Sequence, residues 1–277
     1  MKKQTLIFSL VIVFLLLSLG PSLTSISISN TNLIILCFIG IVSSFVGTLA
    51  GGGGLITIPA MMLIGIPIQT SIATNKFSSG IAAFSSVFYL IRRKDLHINA
   101  IYAEILIACI GGAIGALITS YLSAKTMNMI GLFLLIFALA VTIKNREWIN
   151  TVQTQKKESP TKRWRSFISF SIAVYDGGFG PGSSTFGIIH NMKQSNTYLK
   201  AVQMTRVLIF GSCTGGFIIF YHTGFLQWTY AITMAIGTII GSQLGLLVLP
   251  KISHRTAKIL LITILCLLIT QMVLKFI

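Results

Sequence analysis

Long apolar runs alternate with short polar breaks along almost the whole chain. The runs cover 5–20, 33–50, 55–66, 68–91, 98–122, 127–144, 166–175, 183–192, 198–221, 226–249 and 257–276. A bilayer crossing takes about 20 mostly apolar residues, so most of these runs predict membrane-spanning helices. The runs at 55–66, 166–175 and 183–192 are only about half that length. Each borders a glycine-rich break: Gly51-Gly52-Gly53-Gly54 in the first half, and Asp176-Gly177-Gly178-Phe179-Gly180-Pro181-Gly182 in the second. Consecutive glycines oppose a helix, each costing about 1 kcal/mol relative to Ala. The pattern predicts broken helices inside the membrane layer, where non-helical backbone survives only if protein buries it or it lines a wet cavity.

A second pattern lies on top of the first. The shift along the chain that places Lys76 on Arg206 also places Ser123-Ala124-Lys125-Thr126 on Ser253-His254-Arg255-Thr256, Gly111 on Gly241 and Gly115 on Gly245. The glycine-rich breaks align to within a residue or two. Apolar filler matches itself easily, but polar and glycine matches at one shared offset do not arise from filler, and they predict an internal repeat. Gly111-xxx-Gly115 and Gly237-xxx-Gly241-xxx-Gly245 put small residues on one face of equivalent helices, a device for close packing within the protomer.

Composition then fixes the solvent. Only 9% of the residues are charged and the mean hydropathy is +0.87. A soluble domain carries about 25% charged residues, so lipid rather than water surrounds this chain. The net charge of +16 does not point to nucleic acid, because the basic residues sit in short blocks between apolar runs. Their placement decides topology. If each broken segment is a re-entrant hairpin, seventeen basic residues fall on one side and only Lys125 and Lys275 on the other. Positive residues favour the cytoplasm, and full crossings in place of the hairpins nearly erase that bias.

The predicted fold is therefore an all-α integral membrane protein. It has two inverted repeats, each a broken or re-entrant helical hairpin plus three transmembrane helices, preceded by one N-terminal hydrophobic helix. Residues 1–32 form that signal-anchor helix and an outer loop, with cleavage after 5–20 as the other reading. The first repeat occupies 33–144, a basic cytoplasmic linker 145–165 and the second repeat 166–277. Inverted repeats with discontinuous helices near the midplane are the architecture of secondary transporters.

Few ionisable groups lie within the apolar runs. Lys76 and Arg206 each stand about eight residues into equivalent helices, which is roughly 12 Å of depth at 1.5 Å per residue. A charge there costs about 2.5–3.5 kcal/mol on insertion scales, so it faces a cavity or a partner. Snorkelling towards the two interfaces is the competing reading. Of the carboxylates, Asp95, Glu147 and Glu158 fall in loops and Glu104 near a helix end, leaving Asp176 to reach the centre. Asp176, with Tyr175 beside it, caps the break or pairs with Arg206, or else carries a proton. Short helices predicted to begin near Leu55 and Ser183 would aim their N-termini, each about half a positive charge, at the same centre. The expected substrate set is Lys76, Arg206, Asn75 and Gln203 with Gly52, Gly53, Gly54, Gly180, Gly182, Ser183 and Ser184. Glycines admit an anion to backbone N–H groups, and the serines add hydroxyls.

Other motifs argue against other chemistry. Gly51–Gly54 lacks the Gly-Lys-Ser/Thr of a phosphate loop, so no nucleotide site is implied. Cys37, Cys109, Cys213 and Cys266 stand alone and read as packing residues. His190 and His222 read as interfacial residues. Trp148, Trp164 and Trp228 fall at membrane edges. No cofactor or metal is implied.

Two segments carry a resemblance. Gly51-Gly52-Gly53-Gly54-Leu55-Ile56-Thr57-Ile58-Pro59 resembles the first glycine-rich signature of the TauE/SafE family of sulfite and organosulfonate exporters. Tyr175-Asp176-Gly177-Gly178-Phe179-Gly180-Pro181-Gly182 closely resembles its second. The resemblance covers about 33–276 and implies a multi-pass carrier of the bacterial cell membrane for small sulfur oxyanions or sulfonates. The chain departs from the family at Ala201-Val202-Gln203-Met204-Thr205-Arg206, where an Ala/Thr run often ends in Lys. The expected partners are a small anionic substrate, the lipid bilayer and a second copy in a homo-oligomer. The alternatives are a carrier of a cation or neutral solute that uses Asp176, and an intramembrane enzyme. The enzyme needs a nucleophile–base pair or paired ligands, which the apolar runs do not offer.

Overall fold

The computed structural model describes residues 30–51, 53–123, 125–127, 129–130, 133, 162–192, 194 and 197–251. The expected helix at 5–20, the run at 257–276, nearly all of the run at 127–144, and residues 145–161 of the expected linker lie outside them. Within the described residues the fold is all-helical.

Among the described residues eight α-helices with defined bounds follow one another. The first half holds α1 (Asn30–Ala50), α2 (Gly53–Leu63), α3 (Ile68–Arg92) and α4 (Ile98–Ser120). The second holds α5 (Lys162–Gly178), α6 (Ser183–Met192), α7 (Tyr198–His222) and α8 (Trp228–Val248), with a short 3-10 turn at Leu249–Lys251. The helix bounds recur at one offset. The shift that carries Lys76 onto Arg206 carries both ends of α3, Ile68 and Arg92, onto both ends of α7, Tyr198 and His222. It also carries the first residues of α2 and α4, Gly53 and Ile98, onto those of α6 and α8, Ser183 and Trp228. Even the turns agree: Lys94 (φ 61°) and Gly224 (φ 77°) hold the one left-handed position after α3 and after α7. α5 starts at Lys162, so the last four residues of the expected linker are helical.

Packing couples the halves reciprocally. α4 lies against α5 and α7 of the second half, while α8 lies against α1 and α3 of the first. α3 and α7 form the central pair. Small residues make these approaches possible. A Cβ at Gly111 would lie 3.0 Å from the Phe170 carbonyl oxygen, and one at Gly115 would strike the Val174 carbonyl. Gly237 and Gly241 face the backbone of Cys37 and Ile41 in the same way. The glycine stripes therefore serve helix packing within the protomer, as expected. Hydroxyls add interhelical bonds: Ser86 Oγ to Ser242 Oγ at 2.6 Å and Thr238 Oγ1 to the Ser78 carbonyl at 3.0 Å.

The exposed faces are apolar. Along α4, Tyr102, Leu106, Ile110, Leu117 and Ile118 are exposed at helical spacing, while Thr48, Ser71, Thr74 and Ser86 are buried. A water-soluble protein hides large apolar side chains, and this inverted distribution suits hydrocarbon. Ile101–Ser120, Tyr198–His222 and Trp228–Val248 are long and apolar enough to cross a bilayer. α3 is as long as α7 but more polar, and its Asn75, Lys76 and Ser78 are buried.

Candidate functional site

Two breaks meet at the centre. α1 ends at Ala50 and α2 begins at Gly53, two residues earlier than expected, with Gly51 at φ 83° between them. The second break is narrower than the glycine count predicts. Asp176, Gly177 and Gly178 are helical, and only residues 179–182 interrupt the chain before α6. Helix propensity loses here to packing: side chains at Gly177 and Gly178 would strike Gly112, Gly115 and Thr119 of α4. Gly180 (φ 91°) must remain without a side chain for two reasons. L-residues avoid that conformation, and a Cβ would collide with Lys76 Nζ. The breaks also touch one another. Thr185 Oγ1 donates to the Gly51 carbonyl at 3.2 Å, and a Cβ at Gly54 would lie 3.3 Å from the Gly180 carbonyl oxygen.

Neither cation snorkels. Lys76 is fully buried and Arg206 is 8% exposed, each eight residues past the start of its helix. Their roles differ. Lys76 Nζ donates to the Asp176 backbone carbonyl and lies 3.6 Å from Asp176 Oδ1. The expected pairing of Asp176 with Arg206 is thus replaced by a pairing with Lys76. Asp176 Oδ1 also accepts from Ser183 Oγ, which tethers the start of α6 and caps the break. Its Oδ2 accepts from Ser212 Oγ and from Cys213 Sγ. Tyr175 closes the loop by donating its hydroxyl hydrogen to the Pro181 carbonyl at 2.5 Å. With donors on both oxygens, the carboxylate has little coordination left for a transported cation.

Arg206 is the cation without a matching anion. It lines a cavity of about 30 Å³, and its Nη2 is buried with no hydrogen-bond partner. That space takes about two waters, so the site as folded suits a small solute. Gly53 and Gly54 at the start of α2, and Ser183 and Ser184 at the start of α6, line the same cavity. Asn75, Ser79, Ser43, Ser44 and Thr238 add polar groups, and Asp176, Gly180 and Cys213 complete its inner wall. Ser79 Oγ donates to Asn75 Oδ1 at 3.1 Å, which leaves the Asn75 amide N–H groups on the other end of the side chain. Lys76, Gln203, Gly182 and Tyr175 do not line the cavity; Gln203 is buried elsewhere on α7. Gly52 lies outside the described residues. The net formal charge of Lys76, Asp176 and Arg206 is one positive.

One polar group escaped the sequence reading. His190 is buried, not interfacial, and lies beside Ser169, with Glu104, Gln194 and Arg165 extending the chain of contacts. These five come from three helices and a turn, at spacings no motif describes. In a hydrolytic triad the carboxylate orients the imidazole, whereas here Glu104 meets Ser169. Among the described residues no three His, Cys, Asp or Glu gather to hold a metal.

Comparison with known proteins gives the family of the chain. The family profile described as Sulfite exporter TauE/SafE matches residues 36–272. A probable membrane transporter protein, ORF9, of Sinorhizobium sp is 30% identical over 74% of this chain and 78% of its own length. A probable membrane transporter protein of Haemophilus influenzae is 29% identical over 77% of this chain and 83% of its own. YunE of Bacillus subtilis, another probable membrane transporter protein, is 25% identical over 87% of this chain and 97% of its own. No solved structure matches. The lipid-suited surface, the paired helix breaks and these relatives together place the chain in the TauE/SafE family of membrane transporters.

Proposed function

We propose that the protein is a secondary transporter, working as an exporter, for small anions such as sulfite, other sulfur oxyanions or organosulfonates. It sits in the cell membrane as a multi-pass protein. One observation carries this reading: Arg206, buried and with an N–H group that no protein group meets, faces a polar cavity where two helices begin. A buried guanidinium without an anion is costly, and an oxyanion is the ligand that removes the cost. The N-termini of α2 and α6 favour the same charge.

The mechanism is alternating access by two inverted halves around this site. The constant offset between the helices and the exchange of α4 and α8 across the halves support it. Lys76 acts through Asp176 to hold the second break in shape, and Arg206 binds the anion. An inside-negative potential drives an anion outwards at about 2.3 kcal/mol per charge per 100 mV.

The test is flux from liposomes loaded in turn with sulfite, sulfate, thiosulfate, short sulfonates and small carboxylates. Arg206→Gln keeps the size and loses the charge; it should cut flux of the best anion by roughly tenfold or more. Full flux in Arg206→Gln, or no anion flux from the wild type, sinks the proposal.

A further inference from the structure

A polar chain, buried at Ser169 and His190 and half-buried at its ends, runs from Arg165 near the start of α5 to Glu104 on α4. Arg165 Nε donates to Gln194 Oε1 at 2.7 Å, and a second guanidinium N–H reaches the same oxygen. Gln194 Nε2 lies 2.6 Å from His190 Nε2. Ser169 Oγ lies 3.3 Å from that same ring nitrogen and 3.4 Å from Glu104 Oε1.

The donors and acceptors in this chain fix the state of the imidazole. Arginine only donates, so the amide oxygen of Gln194 faces Arg165 and its NH2 faces His190. An amide NH2 only donates, so His190 Nε2 is an acceptor and carries no proton. This hydrogen-bond pattern assigns a neutral imidazole with its hydrogen on Nδ1. A proton added at Nε2 sets N–H against N–H at Gln194, whose amide cannot turn while Arg165 holds it. The alternative partner is already in place: Nε2–H donates to Ser169 Oγ, and the Ser169 hydroxyl donates to Glu104. Proton uptake thus exchanges a bond to Gln194 for a bond towards α4 and α5. The negative charge of Glu104 offsets the added positive charge.

The position of His190 gives this exchange a consequence. It lies near the C-terminal end of α6, and the other end of that helix, at Ser183 and Ser184, lines the cavity. Arg165, at the other end of the polar chain, also acts electrostatically on Glu104. On α7, Lys200 Nζ donates to the Asp95 carbonyl, the Tyr198 hydroxyl to the Leu49 carbonyl, and Arg206 faces the cavity. α1 carries no charged side chain.

We propose that His190 and Glu104, bridged by Ser169, bind a proton whose uptake repositions the second hairpin and couples anion movement to protons. The coupling to anions rests on the transport reading above; the proton site itself does not.

Cys213 reports on the cavity wall, and it hydrogen-bonds Asp176, as Ser183 of α6 does. In a protein whose other cysteines are Ser, the rate of Cys213 alkylation by N-ethylmaleimide is measured between about pH 5.5 and 8, the range of histidine titration. Wild-type protein should depart from the simple thiolate slope by roughly tenfold. His190→Gln, which still offers Gln194 an acceptor, should follow the slope alone. Glu104→Gln leaves the imidazole in place but removes its counter-charge, so the bend should move to lower pH. Identical profiles in all three overturn the proposal.

A second measurement uses liposomes with a methanesulfonate gradient and an internal pH dye. Protons should accompany the anion in the wild type and not in His190→Gln. Equal proton movement in both also overturns the proposal. Absence of anion flux from every protein, with the wild-type bend intact, overturns the transport reading instead and leaves the proton site standing.

Discussion

Lys76 and Asp176, far apart in the chain, form an ion pair at 3.6 Å in which neither side chain is more than 5% exposed. The pair joins α3 of the first half to the broken segment of the second. Removing one member of a buried pair strands the other charge, at about 3–5 kcal/mol, whereas removing both is far milder. Lys76→Met should therefore lower the melting temperature of the detergent-solubilised protein sharply, and Lys76→Met/Asp176→Asn should recover most of it. If the single and double variants melt together, the pair does not hold the break.

Glycines that look alike in sequence should differ in tolerance. A Cβ at Gly112 would strike the Ser212 backbone, and Ser212 holds Asp176. A Cβ at Gly80 would meet the Cβ of Cys213 at 3.4 Å, an ordinary contact. Gly112→Ala should destabilise by about 1–3 kcal/mol through overpacking. Gly80→Ala should be neutral or stabilise by up to about 1 kcal/mol through helix propensity. Melting curves of the two variants, side by side, check the ordering.

The common spacing of the helix starts is legible in the sequence because a shared offset is a one-dimensional quantity. Positions 68 and 198, and 53 and 183, open equivalent helices because the same glycine and polar positions recur at one constant spacing. The same reading placed Lys76 and Arg206 at one depth but did not tell their roles apart. Which of two equivalent cations meets Asp176 depends on how the halves face each other, and spacing along the chain carries no record of that. Propensity is local and puts Gly177 and Gly178 in the break, whereas Gly112 and Gly115, which seat them in a helix, belong to a distant part of the chain. The cluster around His190 was invisible for the same reason. Glu104, Arg165, Ser169, His190 and Gln194 are ordinary residues until tertiary packing makes them neighbours.

The charge in the cavity is a difference of small numbers, so one substitution should remove its preference for anions. Asn75 and Arg206 line the same space, and Lys76 is already matched by Asp176. Asn75→Asp brings the net formal charge of the site to zero and offers Arg206 an internal partner. An incoming anion then competes with a resident carboxylate, and flux in liposomes should fall by roughly tenfold or more. Asn75→Ser keeps a neutral donor and should retain most of the flux. If Asn75→Asp transports as well as the wild type, electrostatics does not select the substrate.

The orientation of the two halves is open to a direct test at matched positions. Arg92 closes α3 and His222 closes α7 at the equivalent place in the repeat, and both side chains are exposed. In inverted halves these helix ends lie on opposite faces of the membrane, and in parallel halves they lie on the same face. The basic residues near Arg92 predict the cytoplasm for it, which puts His222 outside. In a background without the native cysteines, Arg92→Cys should react with a membrane-impermeant maleimide only after the cells are opened. His222→Cys should react in intact cells. Labelling of both from one side removes the inverted architecture and, with it, the rocking of two inverted halves as the means of exposing Arg206 to each side in turn.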